Sequence, residues 1–430
     1  MSALIGLAVL PAVVAFAIIG LRAPMHVLLP AYAGFVYFSS LITVPVGLPY
    51  RFDSVSSLLG LALTVALALR LALAGRTHHR LPASVGVWLL LLAVAVVTAV
   101  WSVSPEDSFT GLFILASLVV LFVVVALSPV DRRAVRLTET GLLIGGLVAS
   151  AYGVGQALTG TLPASEDAGP RFGRDLLGAN HTAAALILAL VVALSRAAAA
   201  PTVRARVLNG AGVLLLLLGI ILTGSRGGLI GAGVAVLVLA LCGRERRFYL
   251  GFGLLVVTAA VGVVLLQPAG VGERTTREGD SGRLDIWKVG AAACQQYCLY
   301  GSGWGTFPIV YRETQASVPD AQVLLRHASF EPHNVWILVG VEAGVTGLVL
   351  LLAGMTLAVR EALRLPAAVR GPPLAALAGI FTTGIFLSNF EFKYFWMALI
   401  YVTISQHAAN APEDDGAQDT AGVATAVPRA

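Results

Sequence analysis

The histidine with the clearest capacity for chemistry is His333, which stands next to Asn334 at the start of a long apolar stretch. An imidazole has an unperturbed pKa of about 6.5 and can accept a proton near neutral pH. His333 is therefore the best general-base candidate in the chain, with Asn334 beside it to orient the ring or a sugar. The alternative is a hydrogen-bonded histidine at a membrane surface, with no catalytic role.

Two arginines occupy positions that suit anion binding. Arg226 lies in Thr223-Gly-Ser-Arg-Gly-Gly228, between two strongly apolar runs, and an arginine at a helix start adds to the anion-binding capacity of the helix N-terminus. Arg283 opens a helical pattern in which Leu284, Trp287 and Ala291 share one face, so it is a second candidate phosphate ligand. The alternatives are a snorkelling arginine at the first position and an ordinary surface arginine at the second.

A third polar element precedes another apolar run and contains Arg171 and Asn180. Polar residues at such a depth are expected to face the protein interior. The glycine-rich run Gly301–Phe307 is not followed by Gly-Lys-Ser/Thr, so we exclude a nucleotide-binding P-loop and expect a tight turn.

Metal and cofactor motifs are missing from the sequence. No C-x-x-C pair suggests a zinc site, and the segment 268–333 has no Asp-x-Asp motif. Cys294 and Cys298 are four residues apart on a predicted helix, where side chains run parallel, so we expect these two and Cys242 to be free thiols or packing residues. We predict no metal and no cofactor.

The elements that must position these residues are membrane helices. Of the 430 residues, 57% are hydrophobic and only 12% are charged, whereas soluble domains average about 25% charged residues. The net charge of +5 comes mainly from arginines in short gaps between apolar runs, a pattern typical of membrane loops. No basic helix or aromatic-interleaved basic patch suggests a nucleic-acid partner.

Most apolar runs have the roughly 20 residues that a bilayer core requires, and the sequence predicts an all-α polytopic membrane protein with 12 or 13 transmembrane helices. We divide the chain into N-terminal transmembrane helices, a long loop, C-terminal transmembrane helices and a disordered cytoplasmic tail, at 1–267, 268–333, 334–408 and 409–430. The predicted spans are 3–20, 25–47, 55–74, 84–101, 109–127, 137–158, 176–195, 207–222, 227–242, 248–267, 334–359, 373–388 and 393–408.

Every second gap between these runs is rich in arginine, as at 70–80, 132–136 and 196–206. The positive-inside rule makes those gaps cytoplasmic. The candidate residues then all lie at the outer face of the cytoplasmic membrane, and the 268–333 loop forms a small helical cap there.

The candidate elements, taken in order, resemble the bacterial O-antigen ligase and O-antigen polymerase superfamily of polytopic glycan transferases. The resemblance extends from about Arg171 to Trp396. Its carriers are the Asn180 element, Ser225-Arg226-Gly227, Arg283…Trp287, Gly301-x-Gly-x-Gly-Thr-Phe307 and His333-Asn334…Glu342-x-Gly344-x-x-Gly347.

The resemblance implies a membrane enzyme that ligates or polymerises oligosaccharides carried on undecaprenyl diphosphate. It implies that Arg226 and Arg283 hold the diphosphate, that His333 lies at the acceptor hydroxyl, and that Arg171, Asn180 and Asn334 contribute to substrate binding. The acceptor is a glycan, a lipid or a protein. Two arginines stabilise a departing diphosphate without a metal, and attack opposite the diphosphate inverts the anomeric carbon.

The main alternative is a polysaccharide transporter or lipid flippase. Such proteins place polar groups near the bilayer midplane, whereas the middles of the predicted helices are nearly free of charge. A structural membrane protein would not need the arginine and histidine set.

Overall fold

The computed structural model describes residues 19–43, 53–74, 81–164, 170–243, 245–254, 258, 283–318, 321 and 331–411. Its α-helices are α1 (Leu28–Phe35), α2 (Val55–Ala74), α3 (Ala83–Thr98), α4 (Pro105–Leu127), α5 (Arg132–Thr159), α6 (Ala179–Ala198), α7 (Val203–Leu222), α8 (Arg226–Cys242), α9 (Arg283–Tyr297), α10 (Phe307–Thr314), α11 (Val335–Leu363), α12 (Gly371–Thr383) and α13 (Lys393–Asn410).

The predicted all-α fold is confirmed. Within the described ranges the chain forms no β-strand, and seven helices are long and apolar enough to cross a membrane. The molecule is a multi-pass membrane protein. Most of the predicted spans 3–20 and 248–267 lies outside the described residues, so the number of 12 or 13 helices stays a prediction.

Long-range hydrogen bonds connect neighbouring helix ends at each of the two ends of the helix bundle. At one end, Val103 N donates to Ser302 O at 3.0 Å and Phe172 N donates to Leu222 O at 3.2 Å. At the other end, the Glu361 carboxylate accepts from Ser84 N at 2.9 Å. The first end contains the candidate residues, and the second contains the arginine-rich gaps at 132–136 and 196–206.

Small residues allow the helices that support the site to pack closely. A Cβ on Gly231 of α8 would come within 2.9 Å of Gly379 O on α12, and a Cβ on Gly379 would come within 3.0 Å of Gly231 O. Backbones in such contact gain dispersion energy that larger side chains would prevent. This packing fixes α8, and with it Arg226, against the second half of the chain.

The helix predicted within the 268–333 loop is present as α9, and the face shared by Leu284, Trp287 and Ala291 is not the one that it buries. Leu284 is 55% exposed and Ala291 is also exposed, whereas the buried residues are Ile286, Val289, Gly290, Ala293 and Tyr297. The reason is a contact between helices. α9 packs on α11 with Gly290 against Ile337, so the face of α9 that contains Gly290 is buried.

The expectation of free thiols or packing residues is wrong for Cys294 and Cys298, whereas it holds for Cys242. Cys294 and Cys298 form a disulfide with a Cα–Cα separation of 4.5 Å, and Cys242 is the free cysteine among the described residues. The helical geometry assumed for the pair does not hold, because α9 ends at Tyr297 and the chain turns at residues 298–300.

Candidate functional site

The glycine-rich run is a turn that packs against a break in α11. Gly344 has φ 70° and ψ −171° inside that helix, which removes helical partners from nearby carbonyls. Val341 O accepts from Ser302 N at 2.8 Å, and Glu342 O accepts from Gly303 N at 3.2 Å. The tight turn expected from the sequence is thus present, and its N–H groups donate hydrogen bonds to carbonyl groups at the break in α11.

Gly301 is needed in this turn for two reasons. Its φ is 87°, a conformation that L side chains rarely adopt, and a Cβ there would clash with Glu342 O. The turn therefore fits closely against the break in α11. It connects α9 to α10 and holds this connection against α11.

His333 adopts a strained backbone conformation directly before α11. Its φ is 47°, and it is the one residue other than glycine with positive φ in the described part of the chain. Such conformations cost on the order of 1–3 kcal/mol and concentrate at functional sites. The His333 Nδ1 atom is buried without a hydrogen-bond partner. A strained backbone and an unsatisfied ring nitrogen are unusual for a histidine that only stabilises the fold.

Arg283 affects the electrostatics of His333. Burial, and secondarily the Arg283 cation, lower the pKa of the His333 imidazole from 6.5 to about 4. The ring is therefore neutral at physiological pH, the state that a proton acceptor requires. The first turn of α9 is also tied to this segment, because Trp287 Nε1 donates to Pro332 O at 3.0 Å.

Asn334 forms structural hydrogen bonds through both the oxygen and the nitrogen of its side-chain amide. Its Oδ1 accepts from Trp336 N at 2.9 Å and from Ile337 N at 3.1 Å, as the N-cap of α11. Its Nδ2 donates to Ile385 O at 3.2 Å. In this arrangement Asn334 orients the start of α11, and so His333, through the backbone.

Arg171 and Asn180 meet at the turn that precedes Arg226. Arg171 Nε donates to Thr223 O at 2.6 Å, and its Nη2 donates to Asn180 Oδ1 at 2.9 Å. This contact joins the segment before α6 to the junction of α7 and α8. It gives two residues predicted to bind substrate a direct role in shaping the turn.

Arg226 is the first residue of α8 and is exposed. Ser225 Oγ caps the helix by accepting from Gly228 N at 3.2 Å. The helix N-terminus and the guanidinium place positive charge at one point of the surface. This geometry suits a multiply charged anion.

The Arg226 and His333 elements share a neighbour in residues 384–386. A Cβ on Gly227 would come within 3.0 Å of the Phe386 side chain, while Val335 N donates to Gly384 O at 2.9 Å. The start of α8 and the start of α11 therefore flank the same short segment. Together with α9, this brings the candidate residues to one end of the helix bundle.

Sequence reasoning missed a second polar group at this end, carried by residues 391–394. Trp304 Nε1 donates to Glu391 Oε1 at 2.8 Å, and His181 Nδ1 lies 2.9 Å from Tyr394 Oη. Lys393 Nζ lies 2.6 Å from Ser56 Oγ. The sequence pattern that could have revealed this group is Glu-Phe-Lys-Tyr before an apolar run, because it concentrates polar groups at a predicted outer helix end.

Among the described residues, no three His, Cys, Asp or Glu side chains are grouped in a way that could hold a metal ion.

Comparison with known families identifies one domain. Residues 211–352, which include Arg226, Arg283, His333 and Asn334, match the family described as O-antigen ligase. The match supports assignment to the O-antigen ligase and polymerase superfamily, so the resemblance seen in the sequence is confirmed. At a coarse level the match supports a membrane protein of the glycan ligase or polymerase type. No curated protein matches the chain.

Proposed function

We propose that this chain, assigned to the O-antigen ligase and polymerase superfamily by residues 211–352, transfers an oligosaccharide from undecaprenyl diphosphate to an acceptor hydroxyl. The reaction takes place at the outer face of the cytoplasmic membrane. The observation that carries the proposal is His333, a strained and neutral imidazole beside the Arg283 cation.

The donor already contains a good leaving group, so the enzyme must stabilise the charge that develops as the diphosphate departs. Arg226 and Arg283 supply that charge, with help from the positive N-terminus of α8. Arg171 and Asn180 support this function by holding the turn at Thr223. A guanidinium forms paired hydrogen bonds with phosphate oxygens, which fixes the position of the donor as well as its charge.

The acceptor hydroxyl oxygen attacks the anomeric carbon as the bond from that carbon to the diphosphate oxygen breaks. The hydroxyl proton moves to the His333 imidazole, and the bonding electron pair leaves with the diphosphate. Attack from the side opposite the leaving group inverts the anomeric centre. The step balances without a metal or redox partner, and the acceptor is a glycan, a lipid or a protein with a free hydroxyl.

The test uses purified protein in liposomes with an undecaprenyl-diphosphate-linked oligosaccharide. His333→Ala is expected to lower the transfer rate by about 100- to 10,000-fold while donor binding is largely retained, because both arginines remain. Donor binding and product formation are measured separately.

Three results would contradict the proposal. Normal transfer by His333→Ala would exclude the histidine as the base, and loss of donor binding would instead make it part of the phosphate site. Movement of the lipid-linked glycan across the liposome without a new glycosidic bond would indicate a flippase.

A further inference from the structure

Glu342 is a buried carboxyl group that binds the glycine turn in two ways. It lies in α11, nine positions after His333, and is 1% exposed. Its Oε1 accepts from Phe307 N at 2.9 Å, and its backbone oxygen accepts from Gly303 N at 3.2 Å. One residue of the helix that follows His333 therefore holds both the middle and the end of the turn.

The turn that Glu342 holds is the continuation of α9, the helix that begins at Arg283. The N-terminal part of α9 is joined to the His333 segment by the hydrogen bond from Trp287 Nε1 to Pro332 O. The C-terminal part is joined to α11 through the turn and Glu342. These two connections, at opposite ends of α9, determine how Arg283 lies relative to His333.

A role in stability alone does not account for a carboxyl group at this position. Glu342 Oε2 is buried without a hydrogen-bond partner, and a polar group left in that state is energetically costly. An apolar side chain of similar volume would avoid the cost and still fill the space. What an apolar side chain would lose is the acceptor for Phe307 N, and thus the defined position of the turn.

We propose that Glu342 is a positioning residue that sets the placement of Arg283 relative to His333 by holding the 301–307 turn against the broken helix α11. The proposal rests on the proposed function for its catalytic consequence, although the structural connection does not depend on it. Glu391 also holds the turn, because it accepts from Trp304 Nε1 at 2.8 Å.

Two substitutions separate the hydrogen-bond acceptor from the ionisable carboxyl group. Glu342→Leu keeps most of the side-chain volume and removes the acceptor. Glu342→Gln keeps an acceptor oxygen and removes the carboxylate. A matched control is Glu361, another buried glutamate of α11, whose Oε2 accepts from Ser84 Oγ at 2.7 Å at the opposite end of the helix.

The first measurement is hydrogen exchange of the full-length protein in detergent, which requires no activity. Glu342→Leu is expected to speed exchange in the 301–307 peptide by about tenfold, the equivalent of one hydrogen bond. Glu342→Gln and Glu361→Leu are expected to leave that peptide as in the wild type. Unchanged exchange in Glu342→Leu would overturn the proposed connection, whether or not the protein transfers glycans.

The second measurement is transfer in liposomes as a function of pH. Glu342→Leu is expected to lower kcat by about tenfold to a hundredfold, the cost of a small misplacement of catalytic groups. It should also move the acid limb of the profile upward, since His333 would feel less of the Arg283 cation. Glu342→Gln should retain both properties. An equal loss in the glutamine and leucine variants would overturn the proposal by showing that the carboxyl group itself, and not the position of the turn, matters.

Discussion

At the scale of single residues, the neutral state of His333 leads to a prediction about pH. Its folded-state pKa of about 4 lies below the usual 6.5, so the ring stays unprotonated as the pH falls from neutrality. In the free enzyme, kcat/KM should remain level down to about pH 5 and fall as the pH approaches the lowered pKa. An acid limb near the ordinary histidine value would show that the base is another group or that the ring is solvated.

Arg283 provides the control for this profile. Arg283→Lys keeps a cation near the ring, so the residual activity should retain its low acid limb. Arg283→Gln removes the cation, so the limb should move upward, although only in part because burial is the larger cause. A bound diphosphate anion favours protonated histidine, so the limb of kcat should lie above that of kcat/KM.

Arg226 leads to a second residue-scale prediction. Because it is exposed at the N-terminus of α8, its removal should affect the ligand more than the fold. Arg226→Ala is expected to lower transfer by about 100- to 1,000-fold, the usual cost of losing one preorganised charge stabiliser. Lysine should restore little where paired hydrogen bonds are needed.

Arg204 is the matched control, since it is exposed on the neighbouring helix α7 at the opposite end of the bundle. Arg204→Ala should transfer normally in the same liposome assay. Normal transfer by Arg226→Ala, or an equal loss in both variants, would rule out a specific diphosphate contact at Arg226.

At the scale of elements, the break in α11 is the feature with the clearest consequence for stability. Gly344 has φ 70°, and a Cβ there would come within 2.9 Å of Leu299 O. Gly344→Ala should therefore destabilise the protein by about 1–3 kcal/mol through backbone strain and displace the glycine turn. Thermal unfolding in detergent, with protease cleavage at residues 301–307 as a second measure, would detect this change.

Gly233 of α8 offers the comparison, because a Cβ at that position would meet nothing within 4 Å. Gly233→Ala should be neutral or slightly stabilising, since alanine has the higher helix propensity. If the two alanine variants unfold at the same temperature, the turn and the helix break are not coupled as described.

Apolar runs were sufficient to predict the helices that carry the site. The predicted run 334–359 became α11 at Val335–Leu363, and the run 227–242 became α8 at Arg226–Cys242. The break at Gly344 could not be predicted, because glycines in apolar helices usually serve close packing. Its cause is the turn at Ser302 and Gly303, which is distant in sequence.

The buried face of α9 could not be predicted, for a related reason. The sequence pattern places Leu284 and Trp287 on one face, whereas the neighbouring helix selects the face on which Gly290 allows close approach. The dual role of Asn334 was equally hidden, because its partner Ile385 is 51 residues away. Sequence patterns give the type of an element, whereas contacts between elements decide which of its residues are buried or bonded.

At the scale of the whole molecule, the grouping of helix ends makes the predicted membrane orientation testable. The arginine-rich gaps at 132–136 and 196–206 lie at one end of the bundle, and the Cys294–Cys298 disulfide lies at the other. Disulfides persist in oxidising compartments and are rare in the cytosol. The disulfide and the positive-inside rule therefore agree on which end faces outward, although they rest on different chemistry.

Labelling of intact cells with a membrane-impermeant maleimide tests this orientation. In a Cys242→Ser background, Ser317→Cys introduces a thiol at an exposed position of the 268–333 loop, and Arg204→Cys introduces one at an exposed position of the 196–206 gap. The first should react in intact cells and the second only after the membrane is permeabilised. Reaction of Arg204→Cys in intact cells, with Ser317→Cys protected, would place His333 and both arginines on the cytoplasmic side. A lipid-linked donor presented at the outer face could not reach them there, so the proposed reaction would be excluded together with the orientation.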